Sequence, residues 1–334
     1  MTTIADVARV AGVSRSTVSY ALSGNRSISQ TTRDRIEQAI RDLGFTPNAG
    51  ARALATSQTM VLGLFVQFHA DEFAPAMLEY VLPISDTARE AGYDILMATE
   101  QDGAAALKRI TSTGMVDGVV LLDVTHQDPR LETLRAAQVP GALVGLPGDT
   151  TGLDVFDLDF GEAARMLVDR LHALGHRDIA LVTPPEHVWQ RGGAYGWRFR
   201  DAALERGARY GLHITAHFGE SQQPAITQNL NAVLNARPEA TALIVHNDAS
   251  IAALPTVLRE RGVEVPRDLS VVSLYSNNFG RTFSLPYTAV ETSPDELGRR
   301  AVQQLLQRVR GQGDAVVPVT RFVAPRITDR GSAA

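Results

Sequence analysis

The 334-residue chain contains no cysteine. Disulfide staples and thiolate metal sites are therefore excluded. It also lacks any run of about 18 apolar residues and has no basic and apolar leader after Met1-Thr2-Thr3, so neither membrane spanning nor export is expected. A cytoplasmic location follows as an expectation. The common catalytic and nucleotide fingerprints are missing too. There is no P-loop, H-E-x-x-H or G-x-S-x-G, and Gly192-Gly193-Ala194-Tyr195-Gly196 lacks the G-x-G-x-x-G spacing. His172 and His176 are four residues apart, as are His213 and His217, but the first pair spans a helix end and the second lies on a strand, with no third ligand nearby. No catalytic constellation, metal site or cofactor is expected, and the chain reads as a non-enzyme.

What is present is concentrated at the start. Ile4, Val7, Ala8 and Ala11 recur at helical spacing, Gly12 supplies a tight turn, and Val13, Val18, Ala21 and Leu22 give a second short amphipathic run. Two helices joined by a glycine turn make a helix-turn-helix. Thr3 followed by Asp6 is a weak form of the capping box, Ser14 can accept a bond from the first turn of the second helix, and a third helix is predicted over Gln30 to Leu43, capped by Ser29 and stopped by Gly44. Through Thr59 there are seven arginines and no lysine against four acidic residues, a surplus of three. The overall charge of −5 then leaves −8 for the remainder. A basic head on an acidic body points phosphate toward one end of the molecule.

Thr3 to Ala55, ending R-D-L-G-F-T-P-N-A-G-A-R-A-L-A, resembles the head and hinge of the LacI family of bacterial transcription regulators, without a gap. The resemblance implies that the second helix enters the major groove, with Arg15, Ser16 and Tyr20 reading bases. Arginine suits a bidentate grip on guanine. Thr3, Ser14, Thr17, Asn25, Ser29 and Thr32 would meet phosphates, although a cap or turn role is an equal alternative for each of these small polar residues. After Pro47, the segment Asn48 to Ala55 spans only eight residues and contains Gly50. Helices shorter than roughly 12 to 15 residues are marginal alone, so this hinge is expected to fold only against a partner copy and DNA. In the family, paired hinges enter the minor groove. The resemblance gives Leu54 the wedge that kinks the duplex, the alternative being a linker residue tucked onto the body, with Asn48, Ala51 and Ala55 at the groove.

From Met60 onward, strand-like runs alternate with amphipathic helical stretches. The runs are Val61 to Val66, Tyr93 to Ala98, Gly118 to Leu122, Ala142 to Gly145, Ile179 to Thr183, His213 to His217, Ala242 to Val245 and Leu269 to Leu274. Such alternation implies parallel sheets covered on both faces, most simply two sheets of about six strands. The fold class expected is α/β: an all-α head and hinge helix, then a body like that of periplasmic binding proteins. The divisions are a head over 1–46, hinge and linker over 47–59 and a body over 60–334. Within the body the first lobe takes 60–158 and 292–318, and the second 159–291 and 319–330, with crossings near Asp157, Glu291 and Val319.

Ligands of open α/β sheets bind at the carboxyl ends of strands. Position by position, the resemblance places effector contacts at Phe73, Asp123, Asp157, Phe160, Trp189, Arg191, Tyr195, Asn247, Asp248 and Tyr275. A core aromatic or a helix cap is the alternative for each, Asp248 above all because it stands where a helix begins. Two departures from the family pattern stand out. Gly193 occupies the place of the arginine in R-x-x-G-W, and Ser273-Leu274-Tyr275 lacks the aspartate of G-Y-D. They imply that Arg191 reaches in from a shifted loop and that the ligand is not a typical hexose.

Together these features predict an allosteric regulator, most simply a repressor. It would bind a pseudopalindromic operator as a homodimer on the bacterial nucleoid, with double-stranded DNA, a small effector and a second copy as partners and no membrane. The tail after Ile327 lacks the heptads of a tetramerising helix. The rivals are a solute-binding protein, which needs a leader and no head, and an α/β metabolic enzyme, which needs a nucleophile, base or cofactor fingerprint.

Overall fold

The computed structural model describes residues 2–23, 28–45, 58–69, 72–312 and 317–334. Asn25 and the whole predicted hinge, with Asn48, Ala51, Leu54 and Ala55, lie outside the described residues.

Three helices build the head: α1 (Ile4–Ala11), α2 (Arg15–Ser23) and α3 (Gln30–Leu43). Val7, Ala8, Ala11, Val18, Ile36, Ala39 and Phe45 pack into one small core. Thr3 and Asp6 form the reciprocal capping box on α1, and Ser29 Oγ accepts from the Thr32 amide at 3.2 Å to start α3. Gly12 and Gly44 end α1 and α3 in the left-handed conformation that glycine adopts without strain. Gly12 has a second constraint: Arg35 Nη2 donates to the Ala11 and Gly12 carbonyls, and a Cβ on residue 12 would stand 2.7 Å from that nitrogen. Gly12→Val is therefore expected to cost the head about 1–3 kcal/mol. Differential melting of the head's helical signal measures it; an unchanged melt contradicts this account of the turn.

The body strands and helices follow in order. They are β1 (Val61–Phe65), α4 (Ala74–Glu90), β2 (Asp94–Ala98), α5 (Gly103–Ser112), β3 (Gly118–Leu121), α6 (Arg130–Ala136), β4 (Gly141–Val144) and β5 (Asp154–Leu158). Next come α7 (Phe160–Ala173), β6 (Asp178–Thr183), α8 (Glu186–Gln190), α9 (Ala194–Arg209), β7 (His213–Phe218), α10 (Ala225–Ala236), β8 (Ala242–Val245), α11 (Asp248–Arg261), β9 (Ser270–Leu274), α12 (Asn277–Thr282) and β10 (Thr288–Val290). The chain closes with α13 (Pro294–Gln307), β11 (Thr320–Val323) and β12 (Ile327–Thr328). Two six-stranded sheets result, ordered β11-β5-β4-β3-β1-β2 and β12-β10-β9-β8-β6-β7. Every pairing is parallel except β10 with β12. The central strands are buried on both faces, which is why they read as unbroken Val, Ile and Leu runs rather than alternating ones.

The chain passes between sheets three times, after β5, after β10 and after β11. The last passage differs from the expected crossing near Val319. Val155 N donates to the Val319 carbonyl at 2.7 Å and Val319 N to Asp154 Oδ1 at 3.0 Å, which start a parallel ladder between β11 and β5. The chain therefore stays with the first sheet through Val323 and crosses before Ile327. The helix after the second crossing completes the first lobe's core: α13 returns Leu297, Ala301, Val302 and Leu305 onto Val81, Ile84 and Ala88 of α4. The tail is stitched into the second lobe, where Ser332 Oγ accepts from Thr288 N at 2.7 Å and donates to the Val271 carbonyl.

Candidate functional site

Two regions of the chain gather polar groups that its own folding does not consume. The first is the exposed face of α2. Val18 faces the head core while Arg15, Ser16 and Tyr20 are exposed, so the three candidate base readers share the outer side of one helix. Ser14 Oγ accepts from the Thr17 amide at 3.1 Å and contacts the Ser16 and Thr17 hydroxyls at 2.7 and 2.8 Å. Ser29 pairs with Thr32 Oγ1 at 2.8 Å in the same way at the start of α3. Ser14 and Ser29 act as caps in the free protein. A capped helix N-terminus is also an anion site, so capping and phosphate binding coexist at these positions. Arg35, by contrast, is spent on the Ala11 and Gly12 carbonyls.

The second region is a cavity of about 210 Å³ between the two lobes, at the carboxyl ends of both sheets. Phe73, Asp123, Asp157, Phe160, Tyr195, Asn247 and Asp248 all line it, as do Phe68, His69, Glu72, Tyr80, Arg198 and His246. Each stands where local structure puts it. Asp123 stands two residues beyond β3 with a left-handed backbone (φ 49°), and Arg130 clamps that turn by donating to the Leu122 and Asp123 carbonyls at 2.9 and 3.0 Å. Arg130 is itself held in a buried pair with Asp128. Asn247, rather than Asp248, caps α11: its Oδ1 accepts from Ser250 N at 2.9 Å and its Nδ2 donates to the Thr183 carbonyl at 3.4 Å. A Cβ at Gly219 would meet that amide nitrogen at 2.4 Å, so the neighbouring turn needs glycine to admit it. Asp248 is thereby left in the cavity wall.

Three expected contacts fall elsewhere. Trp189 packs edge-on to Trp197 and Phe218 under the Arg200 guanidinium. The Tyr275 ring is fully buried in the second lobe's core, with its hydroxyl donating to the Tyr287 carbonyl. Arg191 stands behind the wall and ion-pairs with Glu72. The histidine pairs are also apart from the cleft: His172 stacks on Tyr210 and His176 Nδ1 meets Thr241 Oγ1 at 2.8 Å.

Several contacts span the lobes. Arg198 of α9 donates to Asp157 Oδ2 of β5 at 2.5 Å and to the Leu158 carbonyl at 3.0 Å. Ser276 and Asn278 donate to the Glu79 carboxylate of α4 at 2.8 and 2.7 Å. Phe73, which precedes α4, places its ring against Phe279 and Phe283 at 6.1 and 5.8 Å. These contacts belong to one arrangement of the lobes, so a ligand that alters them shifts the equilibrium between arrangements.

Electrostatically the cavity is acidic. Burial, reinforced by Asp123, pushes the Glu72 carboxyl up to about 7 against the opposing pull of Arg191. Burial also raises Asp248 to about 7, with the charge of Glu79 adding to the shift. Asp123 and Asp157 are raised by burial, opposed chiefly by Arg130 and Arg198 respectively. Burial lowers His246 to about 3, so it is a neutral imidazole at physiological pH. His69, Glu72 and Asp123 bring donor atoms within 4.8 Å of one another, a spacing that fits a cation, but Arg191 already supplies counter-charge to Glu72.

A raised carboxyl pKa sets the sign of a pH effect. Between the ordinary carboxylate range and about 7, the folded Asp248 holds a proton that the unfolded chain has released, so its contribution to stability falls as pH rises through this window. Asp248→Asn is expected to be nearly neutral near pH 4.5 and to stabilise by about 1–3 kcal/mol at pH 8. Paired thermal melts across that range test it; a constant difference between variant and parent contradicts the raised value.

A helix-turn-helix head joined to a two-lobed body with a cleft between parallel sheets defines a DNA-binding regulator built on a ligand-binding scaffold. Family models agree on both parts: residues 3–48 match the bacterial regulatory proteins of the lacI family, and residues 168–333 match a periplasmic binding protein-like domain. The chain belongs to the LacI family. It is 29% identical to the HTH-type transcriptional regulator CelR of Thermobifida fusca, over 93% of this chain and 92% of the relative. Identity to the ribose operon repressor of Escherichia coli is also 29%, over the full length of both. Among solved structures, the lac repressor dimer bound to operator and the anti-inducer ONPF matches with a TM-score of 0.81 at 25% identity, covering 99% of this chain and 98% of that one. The CelR–cellobiose complex matches at 0.68 with 26% identity, over 99% and 100%.

Arg198, His246, Glu72 and Tyr80 were not singled out from sequence. Arg198 lies three residues after Tyr195 on the same helix, so the two share a face. That spacing is the available signal, and it is obscured because the family pattern puts its arginine ahead of Gly196-Trp197 whereas Arg198 follows them.

Proposed function

We propose that this chain is a transcriptional repressor that binds a pseudopalindromic operator as a homodimer and is switched by a small molecule held between its lobes. The observation that carries the reading is the coexistence, in one chain, of an exposed Arg15-Ser16-Tyr20 face on a helix-turn-helix and an interlobe cavity crossed by polar latches. The division into head (1–46), hinge (47–59) and body, the phosphate contacts at Thr3, Ser14, Thr17, Asn25, Ser29 and Thr32, and the minor-groove role of Asn48, Ala51, Leu54 and Ala55 belong to this proposal. So do effector contacts at Phe73, Asp123, Asp157, Phe160, Tyr195, Asn247 and Asp248, to which the cavity adds Arg198 and His246.

The relatives are regulators rather than enzymes, which favours a non-enzymatic chain acting in the cytoplasm at the nucleoid. Among the described residues no helix is long and apolar enough to cross a membrane. Dimerisation has a candidate surface: Leu78 and Leu82 lie one turn apart on α4, 45% and 59% exposed, and Met97 is 48% exposed on edge strand β2. Ligand binding would act by unequal affinity for two lobe arrangements, and the marginal hinge would convert that difference into folding or melting at the operator.

A gel shift with DNA from upstream of the chain's own gene tests the reading. A discrete complex that Arg15→Ala weakens by roughly five- to 150-fold per half-site supports it, the range for losing one bidentate base contact. Equal binding to any duplex opposes it.

A further inference from the structure

The cleft's charge balance narrows the chemistry of its ligand. Four carboxylates line the cavity, from Glu72, Asp123, Asp157 and Asp248. Glu72 and Asp157 have arginine partners in Arg191 and Arg198. Arg198, the arginine in the wall, is committed to Asp157 and to the Leu158 carbonyl, so it is not a free clamp for an anion. Asp248 has no cation at ion-pair distance among the described residues. Among the described residues Asp123 has His69 alone at ion-pair distance, 3.9 Å, with Arg130 and Arg191 acting on it from farther away.

These groups line one cavity with Tyr195. Burial, reinforced by the charges of Asp123, Asp248 and Glu72, holds the Tyr195 phenol in its neutral form. A separate observation in the same wall also asks for a ligand. His246 is 6% exposed, its Nδ1 has no hydrogen-bond partner, and its ring lies 5.7 Å from both Phe160 and Tyr195. A buried polar atom left unpaired is costly, and a ligand N–H or O–H offsets that cost.

Resting on the effector reading above, we propose that the cleft takes a small ligand bearing a protonated amine, its ammonium held by Asp248 and Asp123 beside the aromatic wall of Phe160 and Tyr195. An ammonium supplies both the donors and the positive charge that these carboxylates lack, and aromatic faces add cation–π attraction. A neutral polyol supplies donors alone. A carboxylate or phosphate adds repulsion to a site with no uncommitted arginine in its wall.

The test is calorimetric titration of the full chain with matched probes: amino sugars and short diamines, the corresponding sugars and diols, and the corresponding sugar acids and diacids. An amine is expected to bind about tenfold or more tightly than its hydroxyl counterpart. Asp248→Asn is expected to erase that preference, and Asp123→Asn, a second variant in case the first misfolds, to reduce it. Tightest binding by a neutral or acidic probe overturns the inference while leaving the effector reading intact, and silence across all three panels overturns it as well. Amine binding that leaves DNA affinity unchanged keeps the ligand assignment and instead removes the regulatory reading.

Discussion

Replacing Leu82 with glutamate is expected to convert the protein to a monomer and to lower operator affinity on the order of 100-fold or more. Leu78 and Leu82 stand 45% and 59% exposed on one side of α4, and Met97 adds to the apolar surface from the neighbouring edge strand. A charge placed among them must be desolvated if a second copy packs there, at a cost of several kcal/mol per interface. A single three-helix head reads only a half-site, and joining two heads makes the second contact effectively intramolecular, a gain of 10²–10⁴ that a monomer forfeits. Sedimentation together with DNA titration checks both halves of the prediction. A monomer that binds the intact operator as tightly as the parent contradicts the dimer mechanism; a dimer unaffected by the substitution contradicts the assigned surface.

The second large effect is expected at Arg198. Asp157 is 5% exposed on β5 and depends on the Arg198 guanidinium for its charge. Arg198→Ala leaves that carboxylate buried without a counter-ion, which costs about 3–5 kcal/mol, or roughly 6–15 °C in melting temperature for a chain of this size. Asp157→Asn in the same chain is expected to recover a large part of the loss, because the penalty comes from the orphaned charge rather than from the missing contact. The pair also ties the lobes together, so the single variant is expected to blunt the response of DNA binding to any cleft ligand. A single variant as stable as the parent contradicts the buried-pair account, and failure of the double variant to recover locates the damage in packing.

The head was legible almost to the residue, for a local reason. Its stops are set by neighbours in sequence: Thr3 with Asp6, Ser29 with Thr32, and the left-handed glycines Gly12 and Gly44. The central strands were legible because burial on both faces leaves continuous aliphatic runs. What escaped depends on partners far along the chain. Strand β5 carries Asp154 and Asp157 in a fully buried segment, a pattern that reads as a loop until Gln304, Arg308 and Arg198 arrive to satisfy the carboxylates. β10 and β12 have three and two residues, too few to show a period.

The cleft was half legible in the same sense. Loops after strands delivered Phe73, Asp123, Asn247 and Asp248 to the cavity, and the end of β5 delivered Asp157. Tyr275 followed the same rule and failed, because a strand end says nothing about which way a ring turns, and a hydrogen bond to Tyr287 O rewarded the core.

The central claim is that the head reads DNA in pairs. Selection of bound sequences from a random duplex pool by the full chain tests it most directly. The account predicts enrichment of one pseudopalindrome, two like half-sites about a common centre, with both halves losing definition together when Arg15 is replaced by alanine. Recovery of a single unrepeated half-site, or of no sequence above the starting pool, would contradict it.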